Sequence, residues 1–402
     1  MKYVPIPIAM LQVGQPLPVD VVSDAGQLLL RKGQPILSEQ HREKLHGFNA
    51  STRPEDAMAW QRAYERMVHS MLREGIDTDV IARAPMPSEI KELDYQVGQE
   101  LRGSWADLLE VLRGILYQGG LAINPITRLA SIEKKALALL REDPDDSLFR
   151  LFQALTDDSL GYCATHALLC LAVCELTCEK LAVPEFDREP LRHGALTMNI
   201  GMARDQDSMT RQGTDLTDWQ RKLVHDHGQL GADLLMTLGV DDADHLDIVR
   251  WHHHPEAPEG LPRNLASRRL LALADSFVAR TAARKTRASQ SVVKAVKSMV
   301  MGAEGDALGV GSAMAQAVGF YPPGTYVRLL RGEIAVSVQR GARANTPWVI
   351  VLVDKDGMPT VKYQCQSTSE PAQAISGPVN FETIKVAVSA DKVKRARERI
   401  PS

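Results

Sequence analysis

The sequence predicts a mainly α fold, a helical bundle with small β-rich modules at its N-terminal and C-terminal ends. Three observations lead there. From Ser147 to about Gly319, apolar residues recur at helical spacing with only short loops between the runs. Residues 1–50 and the chain beyond Pro322 break instead into short apolar segments bounded by Pro, Gly and Asp. A length of 402 residues with 44% hydrophobic side chains supports about two or three domains with a sizeable core.

Within residues 1–50, Tyr3–Met10, Leu17–Val22 and Gln27–Leu30 read as strands, with a turn at Ser23-Asp24-Ala25-Gly26. Ser38 is placed to cap a short helix running to Leu45. A helical connecting region is assigned to 51–146, where Ala57, Trp60, Tyr64, Met67 and Met71 repeat at helical spacing and Ala84-Pro85-Met86-Pro87 marks a break. From Ser88 to Leu116 one long segment aligns Leu93, Val97, Leu101, Trp105, Leu108, Leu112 and Ile115 on a stripe. Such a stripe suits a homodimer seam, but packing on the chain's own core is the commoner use. The main helical domain is assigned to 147–322. In 323–402, Tyr326–Leu330, Glu333–Val338, Trp348–Val353 and Thr360–Gln364 read as strands, Asp356-Gly357 as a hairpin turn, and Lys392–Arg399 as a basic, solvated helix.

The charge balance excludes some function classes. Lys plus Arg number 47 against 50 for Asp plus Glu, a net charge of -3, whereas DNA or RNA partners call for a pronounced basic excess. Ala167–Val173 and Trp348–Val353, the longest apolar stretches, fall short of the ~18 residues of a membrane span. Residues 1–5 lack a secretory pattern, so the expected location is the cytoplasm. Four of the five cysteines lie within Cys163–Cys178, too close together to staple distant parts of a fold. Cys163, Cys170, Cys174 and Cys178 share a helix face with His166. Small buried side chains are the better reading than a metal site, because structural zinc usually draws its ligands from two turns.

The residues that carry chemistry come in a defined order. His166 sits early in a strongly apolar helix, His227 in Val224-His225-Asp226-His227-Gly228, His252 and His253 after Trp251, and Asp275 in Leu271-Ala272-Leu273-Ala274-Asp275. Imidazoles and carboxylates from several helices are what a metal-dependent phosphohydrolase requires. Singly, each is ordinary, since a lone histidine on an apolar helix is commonly a hydrogen-bonded core residue. Together, their order and spacing resemble the HD-GYP family. The resemblance covers about Ser147 to Val338. It includes Gly260-Leu261-Pro262 where the Gly-Tyr-Pro signature stands, nine residues from His253 to Pro262, and Ala279 with Arg284-Lys285-Thr286-Arg287. Tyr321-Pro322-Pro323-Gly324-Thr325-Tyr326-Val327 looks like the β extension that follows many such domains.

This resemblance implies an HD-domain bundle and a cyclic di-GMP phosphodiesterase using iron, manganese or a similar metal. It implies His166, His227, His252, His253 and Asp275 as metal ligands, with Arg284 and Arg287 toward phosphate. The departures are equally specific. Met198 and Asn199 stand where the family's His-Asp pair is expected, and Met202 stands for its lysine. A thioether is a poor ligand for hard or borderline metals, and a neutral amide supplies no bridging charge. His193 does not substitute, since five residues along a helix turn it about 140° from Met198. His254, Ala257-Pro258 and Leu261 replace further family residues. Arg268, Arg269, Arg280, Arg284, Lys285 and Arg287 read either as phosphate-facing cations or as a solvated helix face.

The expectation is a signalling protein with impaired catalysis that binds one divalent metal on His227, His252 and His253, or none. Its partner would be a cyclic dinucleotide or a signalling protein. The competing expectation is an active, metal-dependent cyclic di-GMP phosphodiesterase with an altered site.

Overall fold

The computed structural model describes residues 3–95, 104–157, 161–281, 306–360, 362–384, 386 and 388–400. The N-terminal module forms a small antiparallel sheet in the order β1-β4-β2-β3, from β1 (Val4–Pro5), β2 (Val21–Val22), β3 (Leu28–Leu30) and β4 (Ser51–Thr52). Tyr3–Met10 is a strand only over Val4–Pro5, because Pro7 leads into a 3₁₀ turn at Ile8–Met10. Ser38 caps α1 (Glu39–Gly47) as expected, its hydroxyl accepting from the His41 amide. Val21, Ile36 and Leu45 bury against Trp60 of α2 (Pro54–Arg73), giving the module its own core.

Helices α3 (Thr78–Ala82) and α4 (Glu92–Tyr95) follow. The segment expected as one helix to Leu116 is interrupted at Ser104, whose extended backbone starts α5 (Trp105–Gln118) anew. Ser104 and Asp107 form a reciprocal capping box there. Trp105, Leu108, Leu112 and Ile115 bury in the chain's own core, while Val97 and Leu101 lie outside the described residues.

The bundle is built around α8 (Tyr162–Lys180). Packed on it are α5, α6 (Pro125–Glu142), α7 (Pro144–Ala154), α9 (Glu185–Thr197), α10 (Ala203–Arg211), α13 (Leu265–Thr281) and α14 (Asp306–Val318). Helices α11 (Asp218–Thr237) and α12 (Ala243–Trp251) pair with each other and close over α9 through α12. Among the described helices α8 alone is long and apolar enough to cross a membrane, yet 89% of its apolar window is buried inside the protein, as in a core helix. Cys163, Cys170, Cys174 and Cys178 pack there as small apolar groups, and burial pushes each thiol pKa up. Leu112 and Ile115 of α5 and Ile132 and Ala136 of α6 share this core with α8.

The C-terminal sheet runs β8-β7-β6-β5-β9, all antiparallel, from β5 (Tyr326–Leu329), β6 (Ile334–Gln339), β7 (Trp348–Val353), β8 (Cys365–Ser367) and β9 (Ile375–Val379). The strand expected at Thr360–Gln364 is displaced to Cys365–Ser367. Asp354 accepts from the amides of Asp356 and Met358 in a wide turn with Gly357 at φ +82°, and Thr360 then bonds back to Val351 and Leu352, so pairing resumes only later. The last helix, α15 (Ala390–Arg397), is not the solvated element expected. Val393 and Ala396 are buried, and Arg397 grips both oxygens of Asp143 at 2.8 and 2.9 Å. Gln153 and Asp145 of α7 also hold the sheet, through Gly324, Tyr326 and Arg340.

Candidate metal centre

Four helices bring the centre together. Thr217 and Gln220 cap α11 reciprocally, and two turns on, α11 presents His227, fully buried. Helix α12 ends at Trp251, which places His252 at its C-cap and His253 just beyond it. Glycine packing sets the approach of the two helices, because a Cβ on Gly228 would lie 2.8 Å from the Arg250 carbonyl. Helix α13 supplies Asp275, and α8 supplies His166.

His227, His252 and His253 each offer a ligand atom within 4.8 Å of the others. The tautomers of the two buried rings follow from their partners. His227 Nδ1 lies 2.6 Å from the Val224 carbonyl and His252 Nδ1 lies 2.7 Å from the Val249 carbonyl, and a carbonyl can only accept. Both Nδ1 atoms therefore carry the proton. Their Nε2 lone pairs then face each other at 3.2 Å. Burial, with the charge of His253 next, drops the His227 pKa to about 4, and burial with His253 and His227 drops His252 to about 3. At neutral pH no proton sits between them. Two converging lone pairs with backbone-fixed rings and a third imidazole beside them suit a divalent transition metal. His253, 42% exposed in its side chain, leaves one side of the group accessible.

The remaining pair is satisfied differently. His166 Nε2 donates to Asp275 Oδ1 at 2.8 Å, and Tyr162 lies 2.9 Å from His166 Nδ1, where its hydroxyl donates. Burial alone would raise the Asp275 pKa, but the His166 hydrogen bond and the surrounding imidazoles hold it well below the usual carboxylate range. Asp275 Oδ2 lies 3.9 Å from His253 Nδ1, which ties the pair to the three histidines. All five candidate ligands thus form one connected group. Tyr162 was not singled out from sequence; the signal was its place four residues before His166, one turn back on the same face.

Met198 and Asn199 are buried, at 0% and 3% exposure, on the turn that leaves α9, and Met202 is buried with them. His193 bonds to Glu133 at 2.9 Å and lies outside the group, as its helical position predicts. The Gly260-Leu261-Pro262 turn is clamped from below. Asp247 accepts from the Leu261 amide and from Arg268, and Arg268 also donates to the Leu261 and Pro255 carbonyls. Arg268 is thus a buried structural residue and no phosphate-facing cation; Arg269 pairs with Glu256 at 2.6 Å. Arg284, Lys285 and Arg287 lie outside the described residues. A cleft of about 510 Å³ borders the turn after α9, lined in part by Leu116, Ile200, Met202 and Arg204. Its charges are engaged, with Arg204 on the Tyr117 and Gln118 carbonyls and Asp205 on Arg83.

Comparison with known proteins bears on the helical domain that holds this group. Residues 150–307 match the HD domain family. The chain is 25% identical over 231 residues to the cyclic di-GMP phosphodiesterase PA4108 of Pseudomonas aeruginosa, a match covering 56% of this chain and 55% of that protein. It thus spans about half the length of that relative. A solved structure, Bd1817, described as an HDG"Y"P protein from Bdellovibrio bacteriovorus, is 15% identical, covers 78% of this chain and 98% of its own, and superposes with a TM-score of 0.38. The segment matched to the HD domain family, residues 150–307, encloses His166, His227, His252, His253 and Asp275.

Proposed function

We propose that this protein acts in cyclic di-GMP signalling as a binding protein, with a pocket that holds one divalent iron or manganese ion and turns over cyclic di-GMP negligibly. The observation that carries this reading is the pair of Nε2 lone pairs facing each other at 3.2 Å beside His253. His227, His252 and His253 would hold the ion, which when bound supplies a Lewis acid with open positions for water or a phosphate oxygen. Around it the chain's own groups fall short of a hydrolase. Asn199 brings no charge to the position where a bridging carboxylate is expected, and Met198 offers only a thioether. His166 commits its Nε2 proton to Asp275. Met202 supplies no cation for the phosphate. A cyclic dinucleotide or a partner protein is the ligand this reading assigns, with the flanking modules responding to it.

Metal analysis of anaerobically purified full-length protein, paired with a cyclic di-GMP hydrolysis assay, tests the proposal. The expected result is no more than about one metal per chain, lost in His252→Ala, and negligible turnover. Two metals at full occupancy, together with hydrolysis abolished by His253→Ala, would establish instead an active phosphodiesterase with an altered metal site.

A further inference from the structure

A buried ionic network lies apart from the three histidines, where α6, α8 and α9 meet. Glu133 of α6 holds two neighbours on α9, accepting from Arg192 Nε at 2.5 Å on one oxygen and from His193 Nε2 at 2.9 Å on the other. Arg192 continues to Glu175 of α8 at 3.2 Å and to Glu185 at 2.9 Å, and Arg188 reaches Glu175 at 3.2 Å. Three carboxylates thus meet two guanidinium groups, so the network is neutral only when its sixth member, His193, carries a proton. Arginine keeps its charge throughout, which leaves the imidazole as the member that titrates near neutrality. Burial alone would raise the Glu133 carboxyl, but hydrogen bonds from His193 and Arg192 hold it below the usual range. Burial alone would likewise lower His193, but Glu133, with Glu189 and Asp242 behind it, moves its pKa up from 6.5.

The same imidazole sits against α12. The rings of His193 and His245 lie with their centroids 5.4 Å apart. The Thr197 hydroxyl donates to the His193 carbonyl at 2.7 Å and so accepts from His245 Nε2, also at 2.7 Å. Burial, with the charge of His193 next, drops the His245 pKa to about 3, so this ring is neutral beside a charged one. One residue after His193, a Cβ on Gly194 would stand 2.7 Å from Ile248 Cγ2, and α13 meets the same glycine through Leu271. A shift of α9 at His193 is therefore carried directly into α12.

We propose that His193 and Glu133 form a proton-operated latch between α6 and α9, closed while the imidazole is charged, that sets how firmly α12 is held. Loss of the proton turns a charge-assisted hydrogen bond into an ordinary one and leaves surplus negative charge among Glu133, Glu175 and Glu185. With the folded pKa above the unfolded one, the latch contributes its full stability below pH 6.5 and loses it as pH rises through the folded pKa. The inference goes beyond the metal reading and stands whether or not the pocket takes an ion.

The test is NMR titration of carbon-13-labelled histidines in the full-length protein from about pH 5.5 to 9, with His193→Gln and His245→Gln identifying the two signals. Hydrogen-exchange protection of the α12 amides is measured beside it at about pH 6.5 and 8.5. The expected His193 midpoint lies above 6.5 in the parent and falls below 6.5 in Glu133→Gln, where burial is left without its counter-charge. Corrected for the intrinsic exchange rate, protection of Ile248 and Val249 should drop at least about threefold between the two pH values in the parent and stay level in His193→Gln. A parent midpoint at or below 6.5, level α12 protection in the parent, or an equal drop in His193→Gln overturns the latch. So does an unchanged midpoint in Glu133→Gln, and if that variant does not fold, the parent and His193→Gln decide alone.

Discussion

Two imidazole nitrogens 3.2 Å apart, each with its lone pair toward the other, govern the behaviour of the pocket at the scale of single residues. Both rings are neutral because burial lowers their affinity for protons, to a pKa of about 4 for His227 and about 3 for His252 from an ordinary 6.5. The unfolded chain takes up protons on these rings as pH falls through about 6.5, while the folded one refuses them until well below. Their contribution to stability is therefore complete above pH 6.5 and is lost as pH drops toward 4. Each pKa unit is worth about 1.4 kcal/mol, so the metal-free protein should lose on the order of 5 kcal/mol between pH 7 and 4.5 from the two rings. Urea unfolding across that range checks it, with His252→Gln expected to flatten the slope. An identical slope in that variant would remove His252 from the account. Asp275 behaves in the opposite order of events, since its low pKa keeps its bond to His166 intact through the same window.

At the scale of elements, the turn after α9 and the turn before α13 are held by close approach rather than by hydrophobic pattern. A methyl group at Gly201 would meet backbone atoms of His227 and Gly231 that have no room to yield. Gly201→Ala is expected to destabilise the protein by about 1–3 kcal/mol and to weaken metal binding, because relief comes only by pushing α11 and His227 away. Thermal unfolding and metal titration of this variant, with Gly213→Ala as an unhindered control, read the two effects. Unchanged metal affinity would show that His227 stays in place despite the intrusion. These elements also mark how far sequence reached. The Ser38 cap, strands β5 to β7 and the grouping of the five candidate ligands were legible because caps, alternation and motif spacing are local properties. The role of Arg268 was not, since a guanidinium in a helix reads as solvated until Asp247 and the Leu261 carbonyl are seen around it. Helix α15 was misread for the same reason, its anchor Asp143 being remote in sequence. The Thr360–Gln364 strand failed because a side-chain-built turn at Asp354 consumed the residues that pairing needed.

On the scale of the whole molecule, the segment that matches the HD domain family is narrower than the unit that packs. Helices α5 and α6 lie before residue 150, yet Leu112, Ile115, Ile132 and Ala136 bury against the same core as α8. An isolated fragment 150–307 would expose that face of α8 and is expected to aggregate or bind a hydrophobic dye, whereas the full chain stays monodisperse. Size-exclusion chromatography with light scattering distinguishes the two. A soluble fragment with cooperative unfolding would mean that the bundle closes without α5 and α6.

The ion pair between Arg397 and Asp143 spans 254 residues of sequence and joins α15 to the first turn of α7. Synthesis delivers Asp143 long before Arg397. Until α15 has been made, Phe149 and the inner face of the C-terminal sheet wait for Val393 and Ala396 to cover them. Helix α15 is thus a closing element in time as well as in space, since it covers surfaces that were all synthesised before it.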